Sequence, residues 1–204
     1  NPKARFYGKK VTLDMISNSP IVASPLRLFD CSISVDGAAC AIISKDKTDI
    51  EIIGSSLYAS RLPTFESEDM ASWDATKLAA KAAYSEAFIN HGKVDFAELH
   101  DAFTPVELMS YEDLGFAKKG QGKNLIREGT TKMNGKLPVN TSGGLKAKGH
   151  PVSATGVSQV YEIVKQMRKL AGKRQLDRTG IGLAHNVGGA GSTVTIHILR
   201  NLGG

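Results

Sequence analysis

The sequence predicts an α/β layered protein, and two observations carry that prediction. Strand-like and helix-like runs follow one another in the order β-α-β-α-(loop)-α-β-β. One of those strands, residues 94–99, is apolar on both faces, as a strand inside a sheet must be.

Each element has its own signal. Thr12 caps a short helix from Leu13, and Asn18-Ser19-Pro20 stops it. Asp36-Gly37 makes a turn, and residues 38–44, small and β-branched, read as a buried strand. A polar turn leads to a second strand, 50–56, which either pairs with the first or belongs to a different domain. Residues 62–72 form a loop carrying Pro63. Ser72 caps a helix over 73–90 whose Ala75, Leu78, Ala79, Ala82 and Ala83 form a small-residue face suited to packing on a sheet. His91-Gly92 ends it. After strand 94–99, Thr104 caps and Pro105 opens a helix that Gly115 stops. Residues 118–133 are a polar excursion with one short helix near Leu125. Ser153 caps the last long helix, to about residue 170, with Val157, Val160, Tyr161, Val164 and Met167 as its apolar stripe. Strands 181–187 and 192–199 close the chain through a hairpin at Gly188-Gly189 and Gly191.

Composition removes several function classes. The 204 residues suffice for one large domain, or one domain plus part of another. No apolar run approaches the roughly 18 residues of a membrane span. The start, Asn1-Pro2-Lys3, has no apolar signal core and no initiator Met, which points to a fragment or a processed chain. Cys31 and Cys40 are too few for a disulfide framework and lack zinc-type spacing, so no metal is expected and the cytoplasm is the default compartment. The net charge of +6 is spread along the chain without interleaved aromatics, which argues against nucleic acid and fits an anionic small ligand.

Three of the five histidines sit at element ends beside small residues. His150 follows Gly149 and precedes Pro151 at a helix start, in a stretch that also holds Gly143-Gly144. His100 closes a strand in His100-Asp101-Ala102-Phe103, and His185 opens His185-Asn186-Val187-Gly188-Gly189. Imidazoles placed this way are candidates for proton transfer near neutral pH. Each also has a plain structural reading: a backbone-bonded turn histidine for His150, a core histidine paired with Asp101 for His100, and a core histidine alternating with Ile181 and Leu183 for His185. His91 and His197 read as structural. The glycines at 188–191 cannot form a dinucleotide loop, because a strand follows them.

Taken together, Val35-Asp36-Gly37-Ala38-Ala39, the His100 motif, Gly143-Gly144 to Gly149-His150-Pro151 with Ser153-Ala154-Thr155-Gly156, and the His185 motif resemble the thiolases. The resemblance runs over nearly the whole chain. It is nearest to the branch of sterol-carrier-protein-type and archaeal acetoacetyl-CoA thiolases. It implies the thiolase fold, layered α-β-α with a mixed five-stranded sheet in the C-terminal half. Residues 1–47 would be the end of the N-terminal half with the CoA-binding loop region, and 48–204 the C-terminal domain. The cysteine nucleophile of thiolases belongs to the first half, and neither Cys31 nor Cys40 matches it.

The implied function is that of the C-terminal portion of an acetyl-CoA acetyltransferase-type enzyme, inactive as this chain alone. It would move acetyl or acyl groups between CoA thioesters, by Claisen condensation to acetoacetyl-CoA or by thiolytic cleavage of a 3-ketoacyl-CoA. The alternatives are a thiolase-like acyl-CoA aldolase and a non-catalytic acyl-CoA-binding or scaffold subunit. By resemblance, His150 activates the nucleophile, and with His100, which holds a water, it lines the first oxyanion hole. The Val187 N–H belongs to the second oxyanion hole. His185 is the candidate acid/base for the substrate α-proton, because Ala102 stands where sterol-carrier-type members carry a cysteine. Ser32 matches a pantetheine contact, and Phe103 with Ala102 matches the acyl pocket. Coenzyme A enters as substrate and no cofactor is covalently bound. Implied partners are a second copy (homodimer or tetramer), a chain carrying the N-terminal half, and HMG-CoA synthase with a small acyl-CoA-binding protein.

Overall fold

The computed structural model of the chain describes residues 1–61 and 68–203. Its elements are α1 (Leu13–Ser17), β1 (Ile21–Ala23), β2 (Leu26–Arg27), β3 (Ile50–Ala59), α2 (Asp74–Glu86), β4 (Phe96–Glu98), α3 (Thr104–Asp113), α4 (Gly122–Arg127), α5 (Thr155–Met167), β5 (Ile181–Gly188) and β6 (Thr193–Asn201). From β3 onward this is the α/β order expected from the sequence. The main sheet runs β3-β6-β5-β4, with β4 parallel to β5 and the other pairs antiparallel.

The sheet has four strands where five were expected. The fifth position is held by Val139 alone, in a parallel bridge to Ala97. Ala97 N–H donates to Pro138 O at 3.0 Å, and Asn140 N–H donates to Ala97 O at 2.9 Å. Pro138 has no N–H to extend the ladder, and Asn140 turns the chain away at φ 53°.

Helix α2 covers one face of the sheet through Ala75, Ala79, Ala80 and Ala83. Leu78, expected on that face, is 46% exposed, and Ala80 takes its place. The small side chains matter because Gly54 of β3 leaves no room for a Cβ, which would come 2.5 Å from Ala83 O. Ser72 does not cap α2. Its hydroxyl donates to Asp113 Oδ1 at 2.6 Å, and Trp73 is the N-cap. The expected loop residues 62–67, including Pro63, lie outside the described residues.

Helix α5 covers the other face near β4 and β5. Of its expected stripe, Met167 is buried and Val160 and Val164 pack against the core, but the rest of the buried face is rotated from it. Val157 and Tyr161 are each 36% exposed, while Gln159, Glu162, Ile163 and Gln166 are buried. Those polar groups are satisfied internally. Glu162 pairs with Arg174 at 2.9 Å, and Gln166 exchanges bonds with Arg174 O and Leu176 N–H. Apolar periodicity finds a buried face only where burial is apolar, and here hydrogen bonding offsets the desolvation. Ser153 is not the cap either; it sits at φ 72° and Ala154 caps.

Residues 38–44 form no strand, contrary to the sequence expectation. Ile42 is 95% and Ile43 78% exposed. A β-branched run becomes a strand only where a sheet edge receives it, and no described strand pairs with this one. No helix among the described residues is long and apolar enough to cross a membrane.

Candidate active site

The site forms where the ends of β4 and β5 meet the loop before α5. Residues 31–34 run extended across this junction. Ser32 N–H donates to Ala102 O at 2.7 Å, and His150 N–H donates to Ile33 O at 2.8 Å. One short segment thus ties the His100 motif to the His150 motif. At Gly149, φ is +112° and a Cβ would come 2.7 Å from Val35, so glycine is required immediately before the histidine.

His100 and His150 meet edge to face, with ring centroids 5.1 Å apart and planes at 90°. Their hydrogen bonds define opposite tautomers. Thr155 Oγ1 lies 2.7 Å from His150 Nδ1 and 3.1 Å from the Pro151 carbonyl. Both contacts are satisfied together only when the hydroxyl donates to the carbonyl and accepts Nδ1–H. His150 Nε2 then carries the free lone pair. The His100 tautomer is fixed from the His185 carbonyl, which accepts Gln159 Nε2–H at 3.0 Å. Gln159 Oε1 therefore faces Asn186 and accepts its Nδ2–H at 3.1 Å. The second amide hydrogen of Asn186 points to His100 Nδ1 at 3.3 Å. His100 Nδ1 accepts, so its Nε2 carries hydrogen. One ring offers a base and the other a donor.

Electrostatics keeps both rings neutral at neutral pH. Burial, then the neighbouring His150, lowers His100 to about 4. Burial also lowers His150.

His185 is not brought to this pair. Neighbouring strand residues point to opposite faces, so Asn186 turns to α5 and His185 turns to α2. There the His185 ring is fully buried, with Nε2 3.3 Å from Thr76 Oγ1. Its Nδ1 is buried with no partner. Burial, with His100 as the second cause, lowers it to about 3.

The ladder parity of β5 places the Val187 N–H. Asn201 N–H donates to Gly180 O, so even-numbered β5 residues face β6. Odd-numbered residues face β4, as Ile181 does through Asp95. Strand β4 ends opposite Ala184, so the Val187 N–H lies on the open edge beyond it.

A cavity of about 520 Å³ adjoins the site, lined in part by His100, Ala102, Phe103, Val187, Trp73 and Met109. Four of the sequence candidates thus share one cavity wall. His150, His185 and Ser32 are not on it. A second depression of about 410 Å³, among residues 128–136, holds none of the candidates. Cys31 Sγ donates to Arg27 O at 3.5 Å, and Cys40 is exposed; neither bonds a site histidine. Lys146 is engaged by Glu107 at 3.0 Å.

Several site residues escaped the sequence reading. Asn186 and Thr155 stood inside quoted motifs, and alternation along the strand was the available signal for Asn186. Glu98 and Asp101, both 2% exposed, grip the glycine loop from below. Gly144 sits on Asp101 so closely that a Cβ would lie 2.4 Å from Oδ2, at φ +58°. Gly144→Ala is therefore expected to lower stability by more than about 2 kcal/mol, summing the left-handed penalty and the clash. Urea unfolding at pH 7 checks this, and a loss below 0.5 kcal/mol (about the surface-substitution range) would refute the close seat.

A family model described as thiolase C-terminal domain-like matches residues 59–201. The chain belongs to the thiolase family. Thiolase relatives extend the match toward the N-terminus. An acetyl-CoA acetyltransferase of Methanothermobacter thermautotrophicus is 42% identical over 97% of this chain and 53% of its own length. Sterol carrier protein 2 of Rattus norvegicus is 36% identical over 97% of this chain and 38% of its own. The thiolase chain described here thus spans about half, or less, of these relatives. Among solved structures, one titled Ltp2-ChsH2(DUF35) aldolase superposes with a TM-score of 0.85 at 24% identity. It covers all of this chain and 55% of the other, and supports the fold alone.

Proposed function

We propose that this chain is the C-terminal portion of a thiolase that moves acetyl or acyl groups between CoA thioesters, with its nucleophilic cysteine on a segment outside residues 1–204. Residues 1–47 would be the tail of the N-terminal half and 48–204 the C-terminal domain. The single observation that carries the reading is the pair of opposed tautomers at His100 and His150, one a base and one a donor, beside a cavity. The exposed Ile42 and Ile43 also suit a segment whose sheet lies in another part of the protein.

In this reading the thiol proton passes to His150 Nε2. The thiolate attacks the thioester carbonyl, the carbon–sulfur bond to CoA breaks, and the departing CoA sulfur takes the proton back from His150. The His100 Nε2–H, through a water, supports the enolate-like oxygen of the condensing thioester. The Val187 N–H contributes to the oxyanion hole for the tetrahedral intermediates, where one donor is worth roughly 3 kcal/mol. His185 was expected to carry the α-proton step, but its ring is fully buried against Thr76 on the α2 side and off the cavity wall, so this reading gives it no part in the transfer. Ser32 and Phe103 would meet the pantetheine and the acyl group. The working assembly would be an oligomer in the cytoplasm, with HMG-CoA synthase and a small acyl-CoA-binding protein as possible company by family resemblance.

The test is acyl labelling of the intact protein, purified with whatever chain accompanies it. Radiolabelled acetyl-CoA should leave hydroxylamine-sensitive label on a cysteine outside residues 1–204. Label on Cys31 or Cys40, or no label at all, would overturn the proposal.

A further inference from the structure

We infer that Glu98 and Asp101 are positioning residues that clamp the glycine loop 140–149 onto the strand end carrying His100, and so hold His150 at its angle to that ring. The catalytic meaning of the clamp rests on the acyl-transfer reading above; the clamp itself does not.

Three grips join the two segments in sequence. Glu98 Oε1 accepts Ser142 N–H at 3.0 Å, and Oε2 accepts the Ser142 hydroxyl at 2.5 Å. Leu99 N–H donates to Asn140 Oδ1 at 2.7 Å. Asp101 Oδ1 accepts Leu145 N–H at 2.6 Å, and Oδ2 faces Lys146 N–H at 3.4 Å. His100 lies between the two carboxylates in the chain, and His150 ends the loop they hold. The missing Cβ of Gly144 lets the backbone settle on Asp101.

Burying two carboxylates is costly, and burial drives Asp101 up to about 6 and Glu98 to about 7. Apolar side chains there would leave the Ser142, Leu145 and Lys146 N–H groups without acceptors. Carboxylates add directed acceptors, which hold a glycine-rich backbone to one arrangement.

The two clamps differ in a way that burial alone does not. Both Asp101 oxygens face backbone N–H groups, which can only donate. Asp101→Asn sets an amide NH₂ against one of them. Glu98 shares one oxygen with a hydroxyl, which can turn and accept from an amide. Glu98→Gln therefore keeps its grip.

The experiment uses the intact protein with its accompanying chain, in the variants Asp101→Asn and Glu98→Gln. Nitrogen-labelled histidine spectra and acylation kinetics with acetyl-CoA are read together, alongside thermal midpoints. D101N should shift the ring signals of His150 and lower kcat by about 10- to 100-fold, with KM for the thioester within about two-fold of wild type. E98Q should leave the ring signals in place and kcat within about three-fold. Wild-type ring signals and kcat in D101N would overturn the inference, as would equal effects of the two variants. If D101N does not fold, Ser142→Ala removes one donor from the Glu98 clamp, and unchanged His150 signals there would overturn it instead. Wild-type protein that forms no acyl-enzyme would sink the acyl-transfer reading, while the ring signals would still decide the clamp.

Discussion

Replacing His150 with alanine is expected to slow acyl-enzyme formation from acetyl-CoA by about 10²–10⁴-fold, the range for loss of a positioned general base. The expectation follows from the free Nε2 lone pair that the Thr155 and Pro151 contacts leave on this ring. It differs from the expectation for His100. That ring donates from Nε2, so His100→Asn, which keeps a donor, should retain far more activity than His150→Asn. Stopped-flow acylation with the assembled protein, at saturating acetyl-CoA, measures both. A His150→Ala protein that acylates at the wild-type rate would remove the imidazole from the mechanism. Equal losses in the two asparagine variants would contradict the opposed tautomers.

The second large effect is on stability in acid. His185 ordinarily titrates near 6.5, and the fold lowers it to about 3. The unfolded chain binds its proton first as pH falls. The contribution of the neutral ring is therefore fully present above pH 6.5 and is lost as pH falls toward 3. The span corresponds to a loss on the order of 5 kcal/mol at the acid end. His100, lowered to about 4, adds to the same limb. Glu98 acts in the opposite sense. Raised from 4.5 to about 7, its contribution is present below pH 4.5 and lost as pH rises through 7. Denaturant unfolding across pH 3 to 8 should show a protein weakened at both ends. His185→Gln removes the titrating ring while retaining a polar partner for Thr76, and it should flatten the acid limb by about one proton. An unchanged acid limb in that variant would show that His185 is not held neutral by burial.

How much of this was legible beforehand differs from residue to residue. The strand and helix order from residue 50 onward follows from periodicity and punctuation, because those patterns reflect which face each element buries. Of the expected caps only Thr12 holds, its Oγ1 accepting Met15 N–H at 3.2 Å. Ser72, Thr104 and Ser153 are good cap residues, yet Ser72 and Thr104 bond the distant carboxylates of Asp113 and Asp30, and Ser153 takes a left-handed turn. A local rule loses when a partner far along the chain competes for the same hydroxyl. The α5 stripe was only partly legible for a related reason. Beside Ile163 and Met167, its buried face carries Gln159, Gln166 and Glu162, whose partners Arg174, His185 and Asn186 lie beyond the helix.

The sequence by itself determined the family, the α/β layering and the identity of the histidines worth following, because glycine turns and histidine motifs are local chemistry in fixed order. Only the tertiary structure decided how those histidines divide. His100 and His150 face each other across the loop junction, whereas His185 turns to the α2 side and Asn186 takes the place beside His100. The physical reason is the two-residue period of a strand. It sends adjacent side chains to opposite faces, and which face holds the site depends on the packing of α2, α5 and the glycine loop around the sheet.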